Sequence, residues 1–167
     1  MENRSFALSA TPSRGVSSAP QLSEDWRLAR DVHTELLRLR MPYANLLVVG
    51  RPGVTRILLD LLWLELREPI VTWRPQQPLP EIAGASTLIL YEADRFTIDE
   101  QEALFSRLND RANQIRVVTT TAVPLWPAVK AGRFHEGLYY RLNTISLDAT
   151  AQKTRAGLSA SSAPLAG

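Results

Sequence analysis

The chain has 167 residues, of which 45% are hydrophobic and 22% charged, and its formal net charge is +2. This length is enough for one domain with a buried core, and so small a net charge does not create a strong field for nucleic acid. There is no cysteine and there are only two histidines, His33 and His135, which excludes disulfides, thiolate chemistry and a histidine-rich metal cluster.

Both ends of the chain have the composition of flexible tails. Residues 1–21 are rich in Ser, Pro and Ala, and residues 149–167 in Ala, Ser and Gly, without hydrophobic periodicity. We therefore expect one folded domain at 22–148. Because no apolar run approaches the roughly 18 residues of a membrane helix, and no hydrophobic segment follows the first residues, a cytoplasmic protein is expected.

Between the tails, helical and strand patterns alternate. A helix is predicted to begin at Ser23 and to end before Pro42. The elements predicted after it are strands at 46–49, 70–73, 86–90 and 115–121, with helices at 57–66 and 98–108. This alternation indicates an α/β fold with a parallel sheet covered on both faces.

Parallel sheets bind ligands beyond the carboxyl ends of their strands. Those ends are predicted at Gly50, at Tyr91 and Glu92, and at Thr120 and Thr121. We therefore expect a ligand site where these residues meet.

The segment from Gly50 to Arg56 has the outline of a phosphate-binding loop between a strand and a helix. Such a loop uses glycines to bring backbone N–H groups to the anion and a lysine to reach the outer phosphates. Here the last glycine is replaced by Thr55 and the lysine by Arg56. Taken alone, this segment is better explained as a Pro-Gly turn at 51–53.

Further segments of the chain carry a more specific resemblance, and the last of them is 131–143. That segment contains Gly132-Arg133-Phe134-His135-Glu136-Gly137-Leu138-Tyr139-Tyr140-Arg141-Leu142-Asn143, close to the signature G-x-F-R-x-D-L-Y-Y-R-L-N. This signature is typical of the AAA+ ATPase domain of sigma-54-dependent transcription activators, which the segment therefore resembles. Other segments resemble that family's P-loop strand (44–50), Walker B strand (86–92), following helix (99–109) and sensor strand (116–121).

The resemblance covers about 44–147 and implies a P-loop NTPase-like (AAA+) three-layer sandwich with a parallel sheet, without the helical lid. It implies that Glu92 polarises the attacking water and that Arg141 faces a neighbouring subunit's nucleotide. It also implies the residues that contact the nucleotide: Gly50, Arg51, Pro52, Gly53, Val54, Thr55, Arg56 and Ile57.

The departures from the family pattern fall on groups that the reaction needs. Besides the lysine at Arg56, the Walker B aspartate is replaced by Tyr91, the sensor asparagine by Ala122 and one signature arginine by His135. Phosphoryl transfer depends on positioning and electrostatics, so these losses predict a pseudo-ATPase. Mg²⁺ is not expected to be held, since a phenol cannot supply the anionic oxygen that this cation prefers. Weak binding of ATP or ADP and no binding are equally expected.

Two function classes follow from the resemblance. The first is a non-hydrolysing regulatory or protein-interaction module in bacterial transcription regulation or signalling. Its expected partners are a full-length AAA+ activator, a signalling protein, or copies of itself meeting at 138–141, with no direct DNA or membrane binding. The second is a slow ATP-dependent switch in which Arg56 replaces the lysine and Asp94 the aspartate; a decayed product without selected function is a third.

Segments that the family uses for activation are not recognisable in the sequence. No GAFTGA-like stretch occurs, and the chain between Gly53 and Glu92 is far shorter than in the family. After Leu147 neither the helical lid nor a helix-turn-helix is expected. We therefore expect that this chain does not activate sigma-54 transcription by itself.

Overall fold

A computed structural model of the chain describes residues 19–39, 44–110 and 115–150. Its helices are α1 (Ala19–Leu39), α2 (Pro52–Leu62), α3 (Ile98–Asn109), α4 (Trp126–Lys130) and α5 (Glu136–Leu142). Its strands are β1 (Leu46–Val49), β2 (Ile70–Trp73), β3 (Thr87–Leu90), β4 (Arg116–Thr121) and β5 (Ile145–Asp148). Single 3₁₀ turns lie at Trp63–Glu65 and Ala93–Arg95.

The five strands form one parallel sheet in the order β2-β3-β4-β1-β5. Every residue of β1 and β3 is buried, as expected for strands covered by helices on both faces. Successive side chains alternate between two cores, so that Leu47 joins the core containing α3 and α5, and Leu46 joins the core containing α1 and α2. The α/β fold of the P-loop NTPase type with a parallel sheet is confirmed.

Three predicted helix boundaries are wrong, one in the first helix and two in the second. The first helix begins at Ala19, not at Ser23, because Pro20 is tolerated in a first helical turn, where backbone N–H groups have no intrahelical acceptor. The second begins at Pro52, not at residue 57, and ends at Leu62. A proline at N1 favours this start, so the predicted Pro-Gly turn is instead the first turn of α2.

The pattern did not predict β5, α4 or α5. Strand β5 lies at the edge of the sheet and alternates between half-buried and exposed residues, so it lacks the continuous apolar run of β1. The two helices have only five and seven residues. This is less than the length over which helical periodicity is recognisable.

The predicted tails, 1–21 and 149–167, lie outside the described residues except at 19–21 and 149–150. Ala149 is buried, and its N–H donates to the Val49 carbonyl across 2.7 Å. Within the described ranges, no helix has both the length and the apolar composition needed to cross a bilayer.

Candidate functional site

A cleft of about 450 Å³ opens at the carboxyl edge of the sheet. It is lined by the five residues predicted at the strand ends: Gly50, Tyr91, Glu92, Thr120 and Thr121. Helix α2 and the residue after β2 complete the lining with Pro52, Thr55, Arg56, Leu59, Asp60 and Arg74. The cleft therefore lies where a parallel sheet is expected to bind a ligand.

The predicted nucleotide contacts are divided between this cleft and other surroundings. Gly50, Pro52, Thr55 and Arg56 line the cleft. Val54 is fully buried, and Ile57 packs against the core beneath α1 and α2. The remaining two, Arg51 and Gly53, contact α1.

Backbone N–H groups in the predicted phosphate loop already have protein acceptors. The Gly50 N–H donates to the Thr121 carbonyl across 2.9 Å, and the Thr55 N–H donates to the Arg51 carbonyl across 3.0 Å. The second bond is the first i→i−4 bond of α2. Only Gly50 and Arg51 thus separate β1 from α2, and the N–H groups of Gly50 and Thr55 are not free for an anion.

Asp25 of α1 lies against the start of α2. Its Oδ1 accepts a hydrogen bond from the Arg51 guanidinium at 2.6 Å, and its side chain is only 15% exposed. A Cβ placed on Gly53 would lie 2.2 Å from Asp25 Oδ2. The protein therefore sets its own carboxylate beside the positive end of α2, where an anion is favoured.

Tyr91 is the residue at which the resemblance expects a metal-binding aspartate, and it lies at the carboxyl end of β3. Its N–H donates to the Trp73 carbonyl across 3.0 Å, which continues the β2–β3 ladder. The guanidinium of Arg74 lies 3.8 Å from the centre of the Tyr91 ring, a cation–π contact. A phenol ring and a guanidinium thus lie together at this point of the cleft.

Glu92 lines the cleft, but its carboxylate has a protein partner. The Arg95 guanidinium donates to Glu92 Oε2 across 2.7 Å. The backbone of Glu92 is left-handed, with a φ of 51°, a conformation uncommon outside glycine. Its N–H donates to Thr120 Oγ1 across 3.4 Å.

Asp94, which the second function class would use in place of the aspartate, is bonded to the end of β4. Its Oδ1 accepts from the Thr121 hydroxyl at 2.9 Å and from the Ala122 N–H at 3.1 Å, so it caps the end of β4 and is not part of the cleft lining. Across the described residues, no group of three or more His, Cys, Asp or Glu side chains could hold a metal ion. Tyr91 therefore gives Mg²⁺ no anionic oxygen where the resemblance expects one.

The signature segment is bonded and packed within the chain through His135, Gly137 and Arg141. His135 is the N-cap of α5, where its Nδ1 accepts from the Leu138 N–H at 3.0 Å. A Cβ on Gly137 would lie 2.9 Å from the Phe105 ring. The Arg141 guanidinium donates to the Leu108 carbonyl across 2.8 Å. This contact joins α5 to α3 within the chain.

Exposed aromatic side chains cluster on α4 and α5. Trp126 lies 5.4 Å from Tyr139 and 6.2 Å from Tyr140 between ring centres, and Trp126 and Tyr140 are 37% and 53% exposed. Burial raises the pKa of the Tyr139 phenol above its usual range, against the opposing effect of its hydrogen bond with Asn143. We call Trp126, Tyr139 and Tyr140 the aromatic cluster.

The sequence did not predict the contacts of three of these residues: Asp25, Arg74 and Trp126. Asp25 is 26 positions from Arg51 along the chain, and Arg74 meets Tyr91 across two strands. No local pattern links such pairs. An arginine directly after the predicted strand 70–73 was the one available signal, since that strand also ends at the ligand-binding edge.

Known proteins with similar sequences are transcription regulators. Residues 27–151 match the family model for the sigma-54 interaction domain. The chain is 40% identical over 60 residues to the sigma54-dependent transcriptional regulator SfnR of Pseudomonas fluorescens, covering 34% of this chain and 16% of that protein. It is 37% identical over 78 residues to the C4-dicarboxylate transport transcriptional regulatory protein DctD of Pseudomonas aeruginosa, covering 40% of this chain and 17% of that protein.

A solved structure shows the same fold at lower identity. NtrX from Brucella abortus in complex with ADP superposes with a TM-score of 0.53 at 17% identity, covering 75% of this chain and 36% of that one. The chain therefore spans well under half the length of each of these relatives. Since the family model matches most of the chain, this protein belongs to the sigma-54 interaction domain family of transcription regulators.

Proposed function

We propose that this chain is a non-hydrolysing regulatory module of the sigma-54 interaction type, which acts in the cytoplasm through protein contacts. The observation that carries the proposal is the Arg74–Tyr91 contact at the metal position, 3.8 Å from guanidinium carbon to ring centre. An ATPase of this class needs Mg²⁺ there to neutralise charge on the transferred phosphoryl group. A guanidinium stacked on a phenol binds no metal ion.

Two further features support the loss of hydrolysis. The Glu92 carboxylate is held by Arg95 at 2.7 Å, which lowers its capacity to polarise a water molecule. Ala122 replaces the sensor asparagine and has no side-chain group to orient that water. Each such loss commonly costs a factor of about 10²–10³ in rate.

The aromatic cluster supports a role in protein contacts. Partly exposed Trp and Tyr side chains are enriched at the energetic centres of interfaces, and Tyr140 is 53% exposed. Lys130 lies 5.9 Å from the Trp126 ring centre and adds a positive charge at the rim. The partner we propose is a complete activator of the same family, met at α4 and α5, and copies of this chain are the alternative occupant.

An in vitro assay of open-complex formation with sigma-54 polymerase tests this function. We expect no activity from this chain alone with ATP, and altered activity when it is added to a complete activator. Tyr140→Ala should abolish that effect. Leu64→Ala should not, although Leu64 in the turn after α2 is 94% exposed. Activation by the chain alone would refute the proposal.

An ATP-dependent switch is the second candidate, and the cleft beside Arg56 favours it. It would bind ATP or ADP weakly and change its protein contacts on binding. Asp94 counts against turnover in that switch, because its carboxylate oxygen is bonded to Thr121 and Ala122. Nucleotide-dependent modulation of the complete activator would distinguish this candidate from a module that ignores nucleotide.

A further inference from the structure

We infer that the cleft binds an oligophosphate anion without a divalent metal, held between the guanidinium groups of Arg56 and Arg74. The inference rests on the proposed function only in that no hydrolysis consumes the ligand. It concerns how the cleft holds phosphates when Tyr91 stands where the family has an aspartate.

The two arginines reach the cleft from separate elements. Arg56 is on α2 and Arg74 directly follows β2; both are exposed, and both line the cleft. In the described part of the chain, neither forms an ion pair with a carboxylate. Guanidinium groups prefer phosphate and carboxylate oxygens, which they bind in bidentate fashion.

The acidic residues of the cleft do not cancel this charge. Glu92 is neutralised by Arg95 at 2.7 Å. Asp60 is then the one lining carboxylate without an arginine partner among the described residues. The two positive charges of Arg56 and Arg74 exceed the one negative charge of Asp60, so the cleft favours an anion.

Tyr91 acts as a positioning residue for Arg74. Its ring centre lies 3.8 Å from the guanidinium carbon, and this contact restricts the position of that group. A stacked guanidinium keeps its N–H edge free for an anion. The volume of about 450 Å³ is within the range of small-ligand pockets.

Magnesium should oppose this binding rather than assist it. Tyr91 gives Mg²⁺ no anionic oxygen and the Oδ1 of Asp94 is already bonded, whereas the ion prefers a nearly complete oxygen shell. In solution Mg²⁺ associates with oligophosphates and reduces their charge. The magnesium complex therefore has less attraction for two guanidinium groups.

Isothermal titration calorimetry of the full chain with pyrophosphate and with ADP, each in EDTA and in millimolar Mg²⁺, tests the inference. We expect binding in EDTA that Mg²⁺ weakens. Tighter binding of ADP than of pyrophosphate would identify a nucleotide as the source of the phosphates. Equal binding of the two would identify an inorganic oligophosphate as the source. Both results support the oligophosphate site.

Variants separate the site from general charge. Arg56→Gln and Arg74→Gln should each weaken binding by roughly tenfold or more, whereas Arg38→Gln, at an exposed arginine on α1, should not. Tyr91→Ala should weaken binding relative to wild type. Tyr91→Phe should bind as wild type does, because phenylalanine keeps the ring under Arg74.

Three results would overturn the inference: no binding in EDTA, binding that requires Mg²⁺, or unchanged affinity in both cleft arginine variants. None of these bears on phosphate release or on modulation of an activator, so the proposed function is tested separately.

Discussion

The Asp25 carboxylate joins α1 to the first turn of α2, since it accepts from the Arg51 guanidinium at 2.6 Å and lies against the Gly53 backbone. In a phosphate-binding loop, the N-terminus of this helix would face an anionic ligand. In this protein a side chain from the preceding helix provides the negative charge. The contact thus links the position of α1 to that of the predicted phosphate loop, Gly50 to Arg56.

Gly53→Ala should destabilise the fold. The added Cβ would clash with Asp25 Oδ2, so the carboxylate must move and weaken its bond to Arg51, at a cost of about 1 kcal/mol of unfolding free energy. Urea denaturation measures the change. In an Asp25→Ala background, which already lacks the ion pair with Arg51, the clash is absent and Gly53→Ala should cost no further stability. An equal effect of Gly53→Ala in the wild-type and Asp25→Ala backgrounds would contradict this account.

Arg51→Gln should remove an ion pair that stabilises the fold. Its partner Asp25 is 15% exposed, so we expect a loss of about 1 kcal/mol that becomes smaller in high salt. Arg38→Gln is the matched control, since that arginine is 72% exposed and pairs with Glu35 at 3.2 Å. We expect it to change stability by less than about 0.5 kcal/mol. Chemical denaturation at low and high ionic strength makes the comparison.

His135→Arg restores the arginine of the family signature but should not produce ATP hydrolysis. It removes the acceptor for the Leu138 N–H at the start of α5, which should cost about 1 kcal/mol. His135→Ser keeps a capping oxygen and should be closer to wild type in thermal unfolding. A gain of ATP hydrolysis in His135→Arg would show that a missing arginine, and not the metal position, limits the reaction.

The sequence was most informative where strands are buried on both faces. Leu46–Val49 and Thr87–Leu90 are continuous apolar runs with every residue buried, so they were predicted close to their observed bounds. Strand β5 was missed because its residues alternate between half-buried and exposed, so it has no continuous apolar run. The Ser23 helix start was wrong because Ser, Glu and Asp also occur inside exposed helical turns, as they do in α1.

The candidate site was only partly predictable for a related reason. The strand ends at Gly50 and Tyr91 follow from local apolar patterns, and the cleft forms where they meet. The contacts of Asp25 with Arg51 and of Arg74 with Tyr91 depend on how separate elements pack. Residue types alone do not encode such pairings.

Phosphate release from ATP by the purified full chain, with Mg²⁺ present, tests the central claim most directly. Because Tyr91 lies under Arg74 at the metal position and Glu92 is bonded to Arg95, we predict release no faster than in buffer, and no change in Glu92→Gln. Release above the buffer rate that Glu92→Gln abolishes would show an active hydrolytic site and contradict the account.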